Sequence, residues 1–155
     1  MGKKDYQADL QGKNIAKAFA SNQHVSLKYA SEICREIKGK KIGRAEAFLQ
    51  NVIEKKEFLP LVKYNKKIPH RKGESKSGVK SGRYPQKACK AVLSLLNSVK
   101  ANADFKGLDA ENLLIVHAFA SQGFRRFAHQ PKGKISGKGW KRKSAHIEIV
   151  ARETA

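Results

Sequence analysis

Apolar residues recur along this chain with two periods, and the change from one to the other divides it into elements. Ser26 suits the N-cap of a helix whose apolar residues Leu27, Ala30, Ile33, Cys34 and Ile37 return at intervals of three and four, with Gly39 in place to stop it. A second helix from about Arg44 carries Ala45, Phe48, Leu49, Val52 and Ile53 on one stripe. A third begins at Pro85, taken as its first residue, with Ala88, Val92, Leu95, Val99 and Ala103 in line, Cys89 and Leu96 beside them, and Gly107 at its end. Strand-like alternation occupies the remaining apolar segments. Asn14 to Ala20 alternates weakly. The run from Leu113 predicts a buried strand with Ile115, His117 and Phe119 on one side and Leu114, Val116 and Ala118 on the other. In His146-Ile147-Glu148-Ile149-Val150 the isoleucines face the core and His146 and Glu148 face outward, and this strand is expected to pair antiparallel with the one from Leu113.

Two segments have no such period. From Glu57 to Tyr84 the chain carries Pro60, Pro69, Gly73, Gly78, Gly82 and many cations, which predicts a long basic loop that a partner would order. Residues 121–145 hold Arg125, Arg126, Lys132, Lys134, Lys138, Lys141, Arg142 and Lys143 without one Asp or Glu. Nothing there can bury a core. Should pairing continue outward from the flanking strands, two arms of roughly 12 residues form a hairpin some 35 to 40 Å long. Pro131, Gly133, Gly137 and Gly139 supply its turn.

Charge turns this layout into a statement about partners. Among 155 residues, 33 Lys and Arg face 13 Asp and Glu, a net charge of +20, while 40% of residues are hydrophobic. That suffices for one small domain with basic extensions, and the excess calls for a polyanion. No stretch is apolar enough to cross a membrane. Met1 to Tyr6 leads into no apolar run of a secretory signal, and Tyr6 breaks the myristoylation pattern, so a cytoplasmic location is expected.

Catalytic readings find little support. The five histidines stand in unrelated contexts, and His117 in its apolar strand reads as a packed or partner-facing side chain. Glu32, Glu36, Glu46 and Glu54 lie among helical cations, where paired charges on a solvated face explain them. Cys34 and Cys89 have no second ligand nearby and read as small core residues, so neither a metal nor a cofactor is expected. The segment Gly133-Lys134-Ile135-Ser136-Gly137-Lys138 imitates a phosphate-binding loop, but it is one residue short and Gly139 stands where Ser or Thr is needed.

Nucleic acid remains. The candidate binding residues of the loop and the following helix start are Lys63, Lys66, Lys67, His70, Arg71, Lys72, Lys76, Lys80, Arg83, Tyr84 and Lys87. Those of the hairpin are Arg125, Arg126, Lys132, Lys134, Lys138, Trp140, Lys141, Arg142 and Lys143. Tyr64, Phe124 and Phe127 are placed to stack on bases or to pack locally, and Trp140 leans toward a partner contact. With no recognition helix, zinc ligands or heptads in view, irregular basic extensions suit a folded RNA better than a uniform duplex.

Several stretches fall in a familiar order: Arg35-Glu36-Ile37-Lys38-Gly39-Lys40, Pro69-His70-Arg71-Lys72-Gly73, Gly82-Arg83-Tyr84-Pro85-Gln86-Lys87-Ala88, Asn102-Ala103-Asp104 with Lys106-Gly107-Leu108-Asp109, and the closing His146 to Val150. Over roughly residues 14–152 the chain resembles the large-subunit ribosomal protein family numbered twenty-two in bacteria and seventeen in eukaryotes, in its archaeal and eukaryotic form. The resemblance implies an α+β fold, three helices packed on a three-stranded antiparallel sheet with a long protruding β-hairpin at about Ser121 to Ala145. It also implies a structural role without catalysis: binding large-subunit rRNA, supporting assembly and lining the nascent polypeptide exit tunnel, beside neighbouring large-subunit proteins. The loop from about Glu57 to Arg83 would be the insertion that separates this form from the shorter bacterial one. His129, Gln130, Pro131, Lys132 and Gly133 would face the tunnel. Relatives tend to carry Pro-Arg-Ala-x-Gly-Arg near the tip, where this chain reads Pro131-Lys132-Gly133-Lys134-Ile135-Ser136-Gly137-Lys138, so Lys replaces Arg and the planar fork is lost. Charge alone also allows an RNA chaperone or nucleic-acid-compacting protein, which would bind any duplex alike, whereas the ribosomal reading demands one folded RNA site.

Overall fold

The computed structural model describes residues 6–73, 75, 77–130 and 138–154. Its elements run β1 (Ile15–Gln23), α1 (Leu27–Ile37), α2 (Ile42–Ile53), β2 (Leu59–Pro60), β3 (Gly82–Arg83), α3 (Gln86–Phe105), β4 (Leu113–Gln122), β5 (Arg126–Gln130), β6 (Lys138–Arg142) and β7 (Ala145–Glu153). The fold is α+β, with three helices and an antiparallel sheet ordered β1-β7-β4.

The helix stripes seen in the sequence are the buried faces. Ile33, Ile37, Leu49, Val52, Leu96 and Val99 are fully enclosed, along with Ile147 and Ile149 of the sheet. Each such side chain contributes about 1.5–3 kcal/mol relative to exposure. α3 lies against β1, α1 against β4, and α2 chiefly against α3, where Lys100 of α3 meets Glu46 of α2 at 2.6 Å. The helix boundaries shift slightly from expectation. α2 starts at Ile42, whose side chain is buried and adds a turn to the stripe, and Pro85 is the N-cap of α3, one residue ahead of its first helical position. Gly39 (φ +78°) and Gly107 (φ +72°) reverse the chain after α1 and α3 in the left-handed region that glycine enters without penalty.

Part of each edge of the sheet is covered. The α1–α2 connection pairs with β4 through Gly39 N–H to Ile115 O (2.8 Å) and Ile115 N–H to Lys40 O (3.0 Å). On the far edge, Asn102 of α3 and Lys106, its C-cap, donate to the carbonyls of Lys17 and Ile15, each at 2.8 Å.

The alternation expected in β4 fails halfway along it. Ile115 pairs with Ala151 and His117 with Val150, so Val116 is an extra residue. Past this bulge the faces swap. Ala118 and Ala120, opposite Ile149 and Ile147, join Leu113 and Ile115 on the helix side, and His117 and Phe119 move to the outer face. Glu148 also points to the outer face, yet it is only 3% exposed. The cover is the segment at Tyr6 and Gln7: the Gln7 amide donates to the Glu148 carboxylate (3.2 and 3.1 Å), and Tyr6 packs edge-on against Phe19.

Burial pushes the Cys34 and Cys89 thiols up to about 12 from an ordinary 9.0, with the Glu148 carboxylate adding to the effect at Cys34. Both thiols should therefore resist a thiol reagent at pH 8 until the protein is unfolded. Because their folded pKa values lie above the unfolded ones, the stability they contribute is whole below pH 9 and is lost as pH rises toward 12, which denaturant titrations across that range will show.

Glycine contacts supply a second test. A Cβ on Gly82 would lie 2.1 Å from the Phe58 ring, whereas one on Gly43 of α2 would meet nothing within 4 Å. Gly82→Ala should cost about 1–3 kcal/mol, and Gly43→Ala should stabilise by up to about 1 kcal/mol, both read by denaturant unfolding.

Candidate nucleic-acid interface

The basic loop has packing and pairing of its own, which the sequence did not signal. Phe58, Leu59 and Leu61 are buried beside Pro60, and β2 pairs with β3 through Leu59 with Arg83 and Pro60 with Gly82. Further along, Ser81 donates to Lys66 O (3.0 Å), Arg71 N–H donates to Lys80 O (2.9 Å), and His70 bridges to Ser81. Glu32 of α1 closes the arrangement. It is 3% exposed and accepts the amides of Lys63 and Tyr64 at 2.7 Å each. It is therefore not the solvated helical charge its neighbours suggested; of the other three, Glu36 pairs with Lys40, Glu46 with Lys100 and Glu54 with Lys56.

On this frame Lys63, Lys66, Lys67, His70, Lys72, Lys80 and Lys87 are exposed. Arg71, Arg83 and Tyr84 are half-buried; the Arg71 guanidinium donates to Gly82 O (3.2 Å) and lies 5.7 Å from the Tyr84 ring centre, so part of its role is internal. Lys87 stands in the first turn of α3, where no acid offsets the positive end of the helix dipole, an arrangement an anionic partner relieves. Lys76 lies outside the described residues.

The hairpin is built in two stages. Pairing of β4 with β7 ends at Gln122 with Ala145 and resumes in a separate ribbon at Arg126 with Arg142. The chain advances four residues on one arm and three on the other, so the continuous ladder expected from the sequence is broken by one extra residue. Gly123 sits at the break, where a Cβ would lie 2.6 Å from Ser144 Oγ and 2.8 Å from Asn22 Oδ1. Asn22 accepts the Phe124 amide (2.9 Å), and the Ser144 hydroxyl donates to Phe124 O (2.5 Å). These bonds tie the root of the ribbon to β1.

Beyond the root, Arg126, Ala128, Trp140 and Arg142 share one face of the ribbon, and Phe127, His129, Gly139 and Lys141 share the other. Phe124 (67%), Phe127 (71%) and Trp140 (40%) are exposed, and Lys141 lies 5.3 Å from the Phe127 ring centre. Arg125 and Lys143 are exposed beside the break, and Gln130 and Lys138 are the last paired residues. Pro131, Lys132, Gly133 and Lys134 lie outside the described residues. The structure also brings in Lys28, which lines a cleft of ≈ 280 Å³ with Arg125, Lys141 and Lys143, and His24, which faces Phe124, Arg126 and Arg142 across a smaller one. Neither carried a signal in the sequence, because both are brought to the hairpin root by the β1–α1 turn.

The histidines do not assemble a reacting centre among the described residues. His117 Nε2 is 2.8 Å from Glu148 Oε1 on the outer face of the sheet, and His146 accepts the Asn22 amide at 3.2 Å while stacking on Phe19. His117, His146 and Glu148 pin the sheet and its covering segment. Among the described residues, no group of His, Cys, Asp or Glu could hold a metal ion, and no helix is long and apolar enough to cross a membrane.

A family model described as "Ribosomal protein L22p/L17e" matches residues 18–152. The chain belongs to this family. Among its relatives are proteins named "Large ribosomal subunit protein uL22" from Methanococcus aeolicus, 37% identical over 155 residues and 99% of both chains, and from Methanoculleus marisnigri, 40% identical over the whole of both. Another, from Archaeoglobus fulgidus, is 50% identical over 108 residues, covering 70% of this chain and 68% of that one. The family resemblance stated from the motifs, including its archaeal character, agrees with these matches.

The Glu32 contacts lead to a local prediction. Glu32→Gln keeps the side chain's size and removes its charge, so both amides that Glu32 Oε1 accepts are held less tightly. The loop should open more readily, by about 1–3 kcal/mol, seen as faster hydrogen exchange at Lys63 and Tyr64 with α3 unchanged.

Proposed function

We propose that this chain is a structural constituent of the large ribosomal subunit in the cytoplasm, that its basic loop and hairpin bind large-subunit rRNA, and that the hairpin protrudes to line the exit tunnel of the nascent polypeptide. The observation that carries the reading is the ribbon β5–β6. It extends two core strands past the last buried residues, and residues 121–145 carry eight cations and no acid. Such a ribbon repels itself in water and buries little of its own apolar surface. A convoluted phosphate surface supplies the opposite charge, and the exposed aromatics supply stacking contacts.

The residues proposed to meet rRNA in the loop and at the start of α3 are Lys63, Lys66, Lys67, His70, Lys72, Lys76, Lys80, Arg83, Tyr84 and Lys87, with Arg71 acting mainly through the frame. In the hairpin they are Arg125, Arg126, Lys132, Lys134, Lys138, Trp140, Lys141, Arg142 and Lys143. His129 to Gly133 are proposed to face the tunnel. Family membership favours this reading over a general nucleic-acid-compacting protein, and the family is structural, without an enzymatic reaction to support.

Two measurements test it. The native protein should co-sediment with large subunits at physiological salt, and recovery only from free soluble fractions would contradict the proposal. Deleting Phe127 to Trp140 should leave cooperative thermal unfolding intact, since the core lies elsewhere, and should impair subunit maturation; loss of cooperative unfolding would show that the hairpin belongs to the core.

A further inference from the structure

Arg126 and Arg142 stand directly opposite each other on the two strands of the ribbon, at its first pair. Like charges in that position oppose pairing, and the ribbon places this pair where no carboxylate within residues 121–145 can separate it. Neither arginine has an ion-pair partner among the described residues. The two side chains line a cleft of ≈ 140 Å³ with Asn22, His24, Phe124 and Ser144, a set that is polar and cationic apart from the exposed Phe124 ring. The floor of this cleft is fixed, because Asn22 and Ser144 are both bonded to the Phe124 backbone, next to Gly123.

We infer that this cleft is a phosphate clamp, in which Arg126 and Arg142 together hold a single phosphodiester group of RNA at the root of the hairpin. A guanidinium presents a planar fork of donors, and two forks facing one cleft can each engage the oxygens of a shared phosphate. The anion converts the cross-strand repulsion into a bridge, so RNA binding and ribbon pairing reinforce each other. Phe124 at the mouth offers a face to the adjoining sugar or base, and Trp140 extends the same face of the ribbon toward its tip. The opposite face, with Lys141 over Phe127, has no opposed cation pair and no such need. The inference rests on the rRNA-binding reading and adds to it a discrete site on one face of the ribbon.

The test uses the full chain with Arg126→Gln, Arg142→Gln and the double variant in two arms. In the first, inorganic phosphate is titrated at constant ionic strength and amide exchange is followed in β5 and β6. Phosphate should slow exchange in the wild type and in neither single variant, and without phosphate at low ionic strength Arg142→Gln should exchange more slowly than the wild type. In the second, affinity is measured for transcribed large-subunit rRNA. Each single substitution should weaken binding about tenfold and the double one little further, since both arginines serve one phosphate. Exchange indifferent to phosphate, or losses that simply multiply as for two separate surface cations, would overturn the clamp. If phosphate protects the ribbon as described but even the wild type ignores the rRNA, the clamp stands as an anion site and the ribosomal reading falls.

Discussion

A two-stranded β-ribbon is at best marginal in water, and everything distinctive about this protein follows from the way it makes one. β4 and β7 are already paired inside a sheet whose helix-facing side is dry, with Ile147 and Ile149 fully buried between the alanines of the flanking strands. The ribbon β5–β6 continues these two strands, so its register is set by a pairing that the core stabilises independently. The break at Gly123 and Ser144 marks the passage from the part held by apolar burial to the part held by little more than backbone bonds. The root is reinforced by Asn22, which lies on β1 and takes the Phe124 amide.

The core and the basic surface divide the work electrostatically. Three acids are engaged inside the protein: Glu32 holds two loop amides, Glu46 joins α2 to α3, and Glu148 fastens the segment at Gln7 to the sheet. The net charge of +20 is set by 33 Lys and Arg against 13 Asp and Glu, and the acids held in these internal contacts leave the surface cations still less balanced. Excess charge of one sign opposes compaction and disappears only against a polyanion. The basic loop shows how the conflict is contained. Phe58, Leu59 and Leu61 anchor it, so its lysines project from a defined backbone and ordering them costs the RNA complex less.

Much of this was legible in the sequence wherever burial is periodic. The stripes of α1, α2 and α3 and the stops at Gly39 and Gly107 were readable because each helix meets the core along one continuous face. What escaped depends on contacts between distant residues. Val116 gives no sign of a bulge, having neither glycine nor proline beside it, and it reverses the faces of His117 and Phe119. The anchor at residues 58–61 is too short to show a period. Glu32 and Glu148 look like surface acids until the amides of Lys63, Tyr64 and Gln7, all remote in sequence, are brought to them. The hairpin candidates were found by charge, with Trp140 as an aromatic among the cations, which names the residues but cannot assign them to faces; that needed the register of Arg126 with Arg142.

The most direct measurement is a cryo-electron microscopy map of the source organism's large ribosomal subunit at side-chain resolution. The account predicts this chain in the particle, its helices outermost and both faces of β5–β6 enclosed by the subunit, with rRNA phosphate density between Arg126 and Arg142. A ribbon lying free in solvent beside an intact subunit, or folded back over α1 and α3, would contradict it.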